Sequence, residues 1–205
     1  MRGPPMDRSS LAQRERHALC DQFLEVDPHL PTLCEGWVAY DLVAHLWVRD
    51  TDPLAGLGIA VPALGRLHDA RIARARRRHT YADLVARVRK GPPTPLRWAD
   101  RMINTLEYLI HHEDLRRGET YDVPERELTA ADDAEIMSGL VGLARLQLRS
   151  RRVRTVLVDD RTGRQVVAGS GPELVTVTGR PIELALYAFG RARAAHVRID
   201  RGTAA

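Results

Sequence analysis

Three side chains in this sequence have the types and spacing to hold a metal ion: His45, Glu107 and His111. Glu107 and His111 are four residues apart, so on a helix both project from one face. That face also carries Leu106 and Ile110, while His45 lies between Leu42 and Leu46 on the apolar face of another helical segment. Burying an ionisable group is costly unless it is paired or bound to metal. Helices that turn His, and Glu plus His, towards one interior are how bundles build metal centres. Two imidazoles and a carboxylate suit zinc, and three protein ligands leave a fourth position open, as a catalytic metal requires. The competing reading makes each histidine an ordinary core residue with satisfied hydrogen bonds, and Glu107 with His111 a plain helix-face pair. Spacing alone leaves both open.

The neighbours refine the picture. His112 is about 100° round the helix from His111 and is expected at the rim or surface, with ligation as its alternative role. Asp114, three residues past His111, is placed to accept from an imidazole and orient it; its alternative is a pair with Arg117. His112-Glu113 begins like HExxH, but Arg116 stands where the second histidine belongs, which excludes a zincin protease. Arg191 could reach a substrate carboxylate, although surface or interdomain pairing is the favoured alternative. Nothing beside Cys34 in the sequence would lower its pKa, so a packing role is expected. Trp37 and Trp47 flank the His45 helix and read as core. Arg71, Arg74 and Arg78 share a helical face beside Arg76 and Arg77, a solvated face or an anchor for an anionic substrate.

The elements that must position these residues are helices first, then an α+β tail. Ser10 with Gln13 forms a capping box that opens a helix over 10–26. A second helix covers 39–50, with Val38 where Ser or Thr would cap it. Residues 52–65 are rich in Gly and Pro and read as irregular. Helical patterns follow over 67–78 and from Thr80, with Asp83, to Gly91. The strongest helix runs over 99–117 and stops at Gly118; Ile103, Leu106, Ile110 and Asp114 mark its inner face. Thr129 with Asp132 opens one more helix, ending near Arg149. Short β-like runs at 153–158, 165–168 and 174–178, a helix over 181–189 and a last strand over 195–199 complete the pattern. The domains are expected at 9–119 and 129–202, divided around 120–128, with the 129–149 helix free to pack on the bundle.

Composition excludes several classes. The chain has 205 residues, 44% of them hydrophobic and 28% charged, so it can bury a core and is not intrinsically disordered. No apolar run nears the roughly 20 residues that span a bilayer, and residues 1–10 lack the apolar stretch of a secretory signal. A cytoplasmic protein without a membrane partner is expected. The net charge is only +4 and aromatics are 5%, which disfavours nucleic acid as partner. Of 31 basic residues only Lys90 is not arginine, so arginine is this chain's default cation and no single one carries much meaning. Two cysteines without CxxC spacing exclude a disulfide framework and a cysteine zinc site.

The segment GWVAYDLVAHL from Gly36 to Leu46, together with Glu107-x-x-x-His111-x-x-Asp114-Leu115, resembles the mycothiol-dependent maleylpyruvate isomerase family within the DinB-like metalloprotein superfamily. VTVTG at 175–179 followed by PIELALYAFGR at 181–191 is similar to that family's small C-terminal domain. Leu33-Cys34-Glu35-Gly36-Trp37 and His111-His112-Glu113-Asp114 look most like an actinobacterial subgroup of metal-binding proteins. The resemblance spans 11–202. It implies a mainly α fold: a DinB-like four-helix bundle holding a divalent metal, commonly Zn2+, through His45, Glu107 and His111, then a small α+β C-terminal domain. It also implies a transferase or isomerase acting through a low-molecular-weight thiol, mycothiol or a counterpart, on an electrophilic small molecule. A metal-bound thiol is held as thiolate, its nucleophilic form. Val38 departs from the family's usual Thr, which touches a helix cap and no ligand. Fold does not fix function. A non-catalytic metal-binding protein is the alternative, and a bundle binding nucleic acid or a partner through its arginine face comes third.

Overall fold

The computed structural model describes residues 9–52, 65–92, 97–150 and 152–203. The sequence reading of 52–65 as irregular falls almost wholly outside them, and so does the side chain of Ile103. The chain divides into two compact units, the first from Met1–His29 and Ala39–Tyr108, the second from Leu30–Val38 and Leu109–Ala205. The architecture is mainly helical, followed by a small mixed β-sheet. No helix among the described residues is long and apolar enough to cross a membrane.

The first unit is helical: α1 (Leu11–Glu25), α2 (Ala39–Thr51), α3 (Gly65–Arg78), α4 (Tyr81–Lys90) and the opening turns of α5 (Arg97–Arg116). Capping boxes set the starts of α1 and α4. Ser10 accepts from the Gln13 amide and Thr80 from the Asp83 amide, and in each box the side chain at the third position reaches back to the cap. Gly91, at φ 76°, takes the left-handed conformation that ends α4. Helix α2 packs on α3 and α4, and α1 on α4. Leu19, Phe23, Leu42, Leu46 and Leu84 are buried in this unit.

The second unit begins with the loop Leu30–Val38. Thr32 closes it by donating from its amide and its hydroxyl to the Trp37 carbonyl, at 3.1 and 3.0 Å. The loop is held to the end of α5 by the Leu33 amide, which donates to the Asp114 carbonyl at 3.0 Å. Gly118 allows that approach, since a Cβ there would lie 1.9 Å from the Pro31 carbonyl oxygen. Helix α6 (Ala130–Gln147) opens with a third capping box on Thr129. Strands β1 (Val153–Asp159), β2 (Gln165–Gly169), β3 (Glu173–Gly179) and β4 (Arg198–Thr203) form one sheet in the order β2-β1-β3-β4. Strand β1 runs antiparallel to β2 and parallel to β3, and β4 returns antiparallel to β3. Alternation buries Thr155, Leu157, Val166, Ala168, Val175 and Val177 on one face. Helix α6 packs on β2 and on α7 (Pro181–Ala188), which also contacts β1 and β3.

The last strand differs from expectation. It covers Arg198–Thr203, not 195–199, and all six residues are exposed. Backbone pairing to β3 makes this strand, whereas the apolar run beginning at Ala195 that suggested one is the coil leading into it.

Candidate metal centre

From Asn104 to Leu115, α5 is buried at every position except Glu107, which is half-buried. The sequence suggested one inner face, but this stretch is enclosed all round. That corrects the expectation for His112, which is only 7% exposed. Its Nδ1 lies 3.0 Å from Arg126 Nη1. A guanidinium can only donate, so His112 Nδ1 is an acceptor there.

His45 on α2 and Glu107 on α5 belong to the first unit, and their ligand atoms lie within 4.8 Å of each other. His111 stands one turn further along α5. Each histidine also has its outer nitrogen occupied. His111 Nδ1 is 2.8 Å from Asp114 Oδ2, so it donates there, and Nε2 is the nitrogen that a metal would take in place of a proton. His45 Nδ1 is 2.8 Å from Nε2 of His68, a buried residue of α3 that the sequence did not single out. Burial lowers the pKa of His68, with Arg71 adding to the effect against Asp69, so a neutral ring can accept from His45. An imidazole fixed through one nitrogen presents the other in a defined direction, as metal-ligating histidines do. Glu107 is steadied by Arg49, whose Nε is 3.4 Å from Oε2 and whose Nη1 donates to Asn104.

Asp114 is fully buried. Burial alone would raise its pKa, but hydrogen bonds and charge from His111 and Arg191 hold it well below the usual carboxylate range. Arg191 Nε and Nη2 donate to Asp114 at 2.9 and 2.7 Å, Nη1 donates to the Phe189 carbonyl at 2.6 Å, and Nη2 is 3.4 Å from Cys34 Sγ. Arg191 is therefore built into the Asp114 socket, a pairing role of the kind favoured from sequence over a substrate carboxylate. Cys34 Sγ also lies 3.2 Å from Asp114 Oδ2, a polar contact that the sequence expectation of simple packing missed. Arg117, the alternative partner for Asp114, goes elsewhere. It pairs with Glu113 at 2.7 Å and Glu183 at 2.6 Å.

Two other clusters among the described residues have ligand types at metal-binding spacing: Cys34–His111–Asp114 and Glu125–Glu183–His196. In the first, the Arg191 guanidinium already supplies the positive charge. In the second, Glu183 is taken by Arg117 and by the His196 amide. The donor set of His45, Glu107 and His111 fits a divalent ion better. It has two imidazoles with anchored outer nitrogens and one carboxylate, a borderline-soft set suited to zinc.

If His68 orients His45, His68→Ala is expected to weaken divalent-metal affinity about 10–100-fold. His68→Gln, whose amide oxygen can accept from Nδ1–H, should recover part of that loss. Competition with a chromogenic chelator reads both variants; equal affinity in wild type and His68→Ala would remove the role.

No family model matches the chain, and no curated protein matches its sequence. Two solved structures share its fold. One is the crystal structure of the mycothiol-dependent maleylpyruvate isomerase, with TM-score 0.61 and 18% identity over 93% of this chain and 90% of that one. The other is a His-to-Ala mutant of the mycothiol-dependent maleylpyruvate isomerase, with TM-score 0.63 and 19% identity over the same shares. At these identities the likeness shows the fold alone, a helical bundle followed by a small mixed sheet.

Proposed function

We propose that this protein binds a divalent metal, most simply Zn2+, through His45, Glu107 and His111, and uses it as a thiol-dependent transferase or isomerase. The observation that carries the reading is the anchoring of both imidazoles from outside, His45 by His68 and His111 by Asp114. The fold likeness to a mycothiol-dependent isomerase supports a mycothiol-type thiol and an electrophilic small molecule as reactants. The metal, when bound, supplies the Lewis acidity that keeps a thiol ionised near neutral pH. The chain's own residues do the positioning. Asp114 holds the His111 proton on Nδ1, Arg191 keeps Asp114 ionised, and Arg49 orients the Glu107 carboxylate.

Cobalt substitution tests this reading, because a thiolate joining Co2+ gives a sulfur-to-metal charge-transfer band in the near ultraviolet. N-acetylcysteine added to the cobalt protein is expected to produce that band and N-acetylserine is not. A cobalt spectrum unchanged by thiol would leave a metal-binding protein without thiol chemistry.

A further inference from the structure

Helices α2 and α3 of the first unit flank an open cleft of about 230 Å3 that the metal centre does not use. Its walls include Trp47 and Asp52 from the α2 side, and Arg71, Arg74, Arg78 and His79 from the α3 side. Trp47 and His79 meet edge to face, with ring centroids 4.9 Å apart. They make one wall aromatic, and Trp47, read from sequence as core, is half-exposed there.

The charges around the cleft do not balance. Arg71 is neutralised by Asp52 at 2.7 Å, and Arg76, outside the cleft, by Asp41 at 2.5 Å. Arg74 and Arg78 have no carboxylate partner among the described residues, and both are exposed. They are one turn apart on the same face of α3, a spacing at which like charges repel and destabilise a helix. The C-terminal dipole of α3 favours a cation at Arg78, yet it gives no reason for a second one facing the same cleft. Two arginines one turn apart on a helix face can share the charge of one dianion. A cavity of roughly 150 Å3 holds a benzene ring, so this cleft has space for one ring and one oxyanion.

We propose that the cleft binds a small aromatic phosphate monoester, with its dianion on Arg74 and Arg78 and its ring against Trp47. The site is independent of the metal ligands. Isothermal titration of the full chain with phenyl phosphate, beside phenol and inorganic phosphate, tests it. Phenyl phosphate is expected to bind saturably and more tightly than either half alone. Arg74→Ala and Arg78→Ala should each weaken it about tenfold or more, since each removes a charge-assisted contact. Trp47→Ala should weaken phenyl phosphate but leave inorganic phosphate unchanged, and wild type treated with a chelator should bind both as before. Circular dichroism confirms folding of each variant. Absence of saturable binding, or unchanged binding in the Arg74→Ala/Arg78→Ala double variant, would overturn the proposal. So would loss of binding on chelator treatment, which would move the anion to the metal centre. A short DNA duplex that binds more tightly than phenyl phosphate through the same arginines would also overturn it, as a backbone-binding face.

Discussion

His45→Ala is expected to strip the purified protein of its metal, where wild type should carry about one equivalent by elemental analysis. Glu107→Ala should do the same, because a two-ligand remnant holds a divalent ion too weakly to survive purification. His112→Ala should retain the metal, since the His112 Nδ1 is spent on Arg126. The melting temperature should follow occupancy. A ligand at a hundred times its dissociation constant stabilises the folded state by about 2.7 kcal/mol. For a chain of this size that is about 5–11 °C. Chelator should produce the same drop in wild type and none in His45→Ala. A wild type without metal would reduce His45 and His111 to core histidines. Metal lost only in His112→Ala would move the site round the helix.

Arg117→Met is expected to be among the most destabilising single changes in the chain. Arg117, Glu113 and Glu183 are all fully buried, and Arg117 also donates to the Ala194 carbonyl at 2.5 Å. Removing the cation leaves two buried carboxylates short of a partner, a change that costs about 3–5 kcal/mol where one member of a buried pair is deleted. At about 2–4 °C per kcal/mol the melting temperature should fall by roughly 6–20 °C. Adding Glu183→Gln to Arg117→Met should recover part of the loss, with a coupling of about 0.5–3 kcal/mol. Independent additive losses would contradict the network. The pH dependence has a definite sign. Burial would raise the pKa of Glu113, but the charges of Arg126, Arg116 and Arg117 hold it below its ordinary value. Its contribution is complete above the unfolded value of about 4.3 and is lost as pH falls through the lower folded value. Acid should therefore destabilise wild type more steeply than Arg117→Met below about pH 4.

Local signals placed most of the fold. Ser10, Thr80 and Thr129 each open a helix at the capping box read from sequence, and Gly91 ends α4 as expected. Local rules failed where a partner lies far along the chain. Cys34 and Asp114 are 80 residues apart, and Arg117 and Glu183 are 66 apart, so no window of sequence contains either pair. His68 was hidden for a related reason: one histidine on an arginine-rich helix has no periodic signature. His112 was misplaced because amphipathicity assumes a wet side, and α5 from Tyr108 to Leu115 has none. The last strand eluded pattern reading because alternation requires one buried face, and β4 has none.

The nine-residue loop Leu30–Val38 has a consequence for the order in which the protein can be made. It leaves the ribosome early, yet the carbonyl that receives the Leu33 amide belongs to Asp114, and the glycine that gives Pro31 room is Gly118. The loop must therefore wait through the synthesis of some eighty further residues before its place exists. For the same reason a gene cut anywhere between 39 and 108 separates the second unit from a piece of itself. A C-terminal fragment beginning at Leu109 would need Leu30–Val38 returned to it, as an added peptide or by circular permutation, to rebuild the surroundings of Cys34 and Asp114.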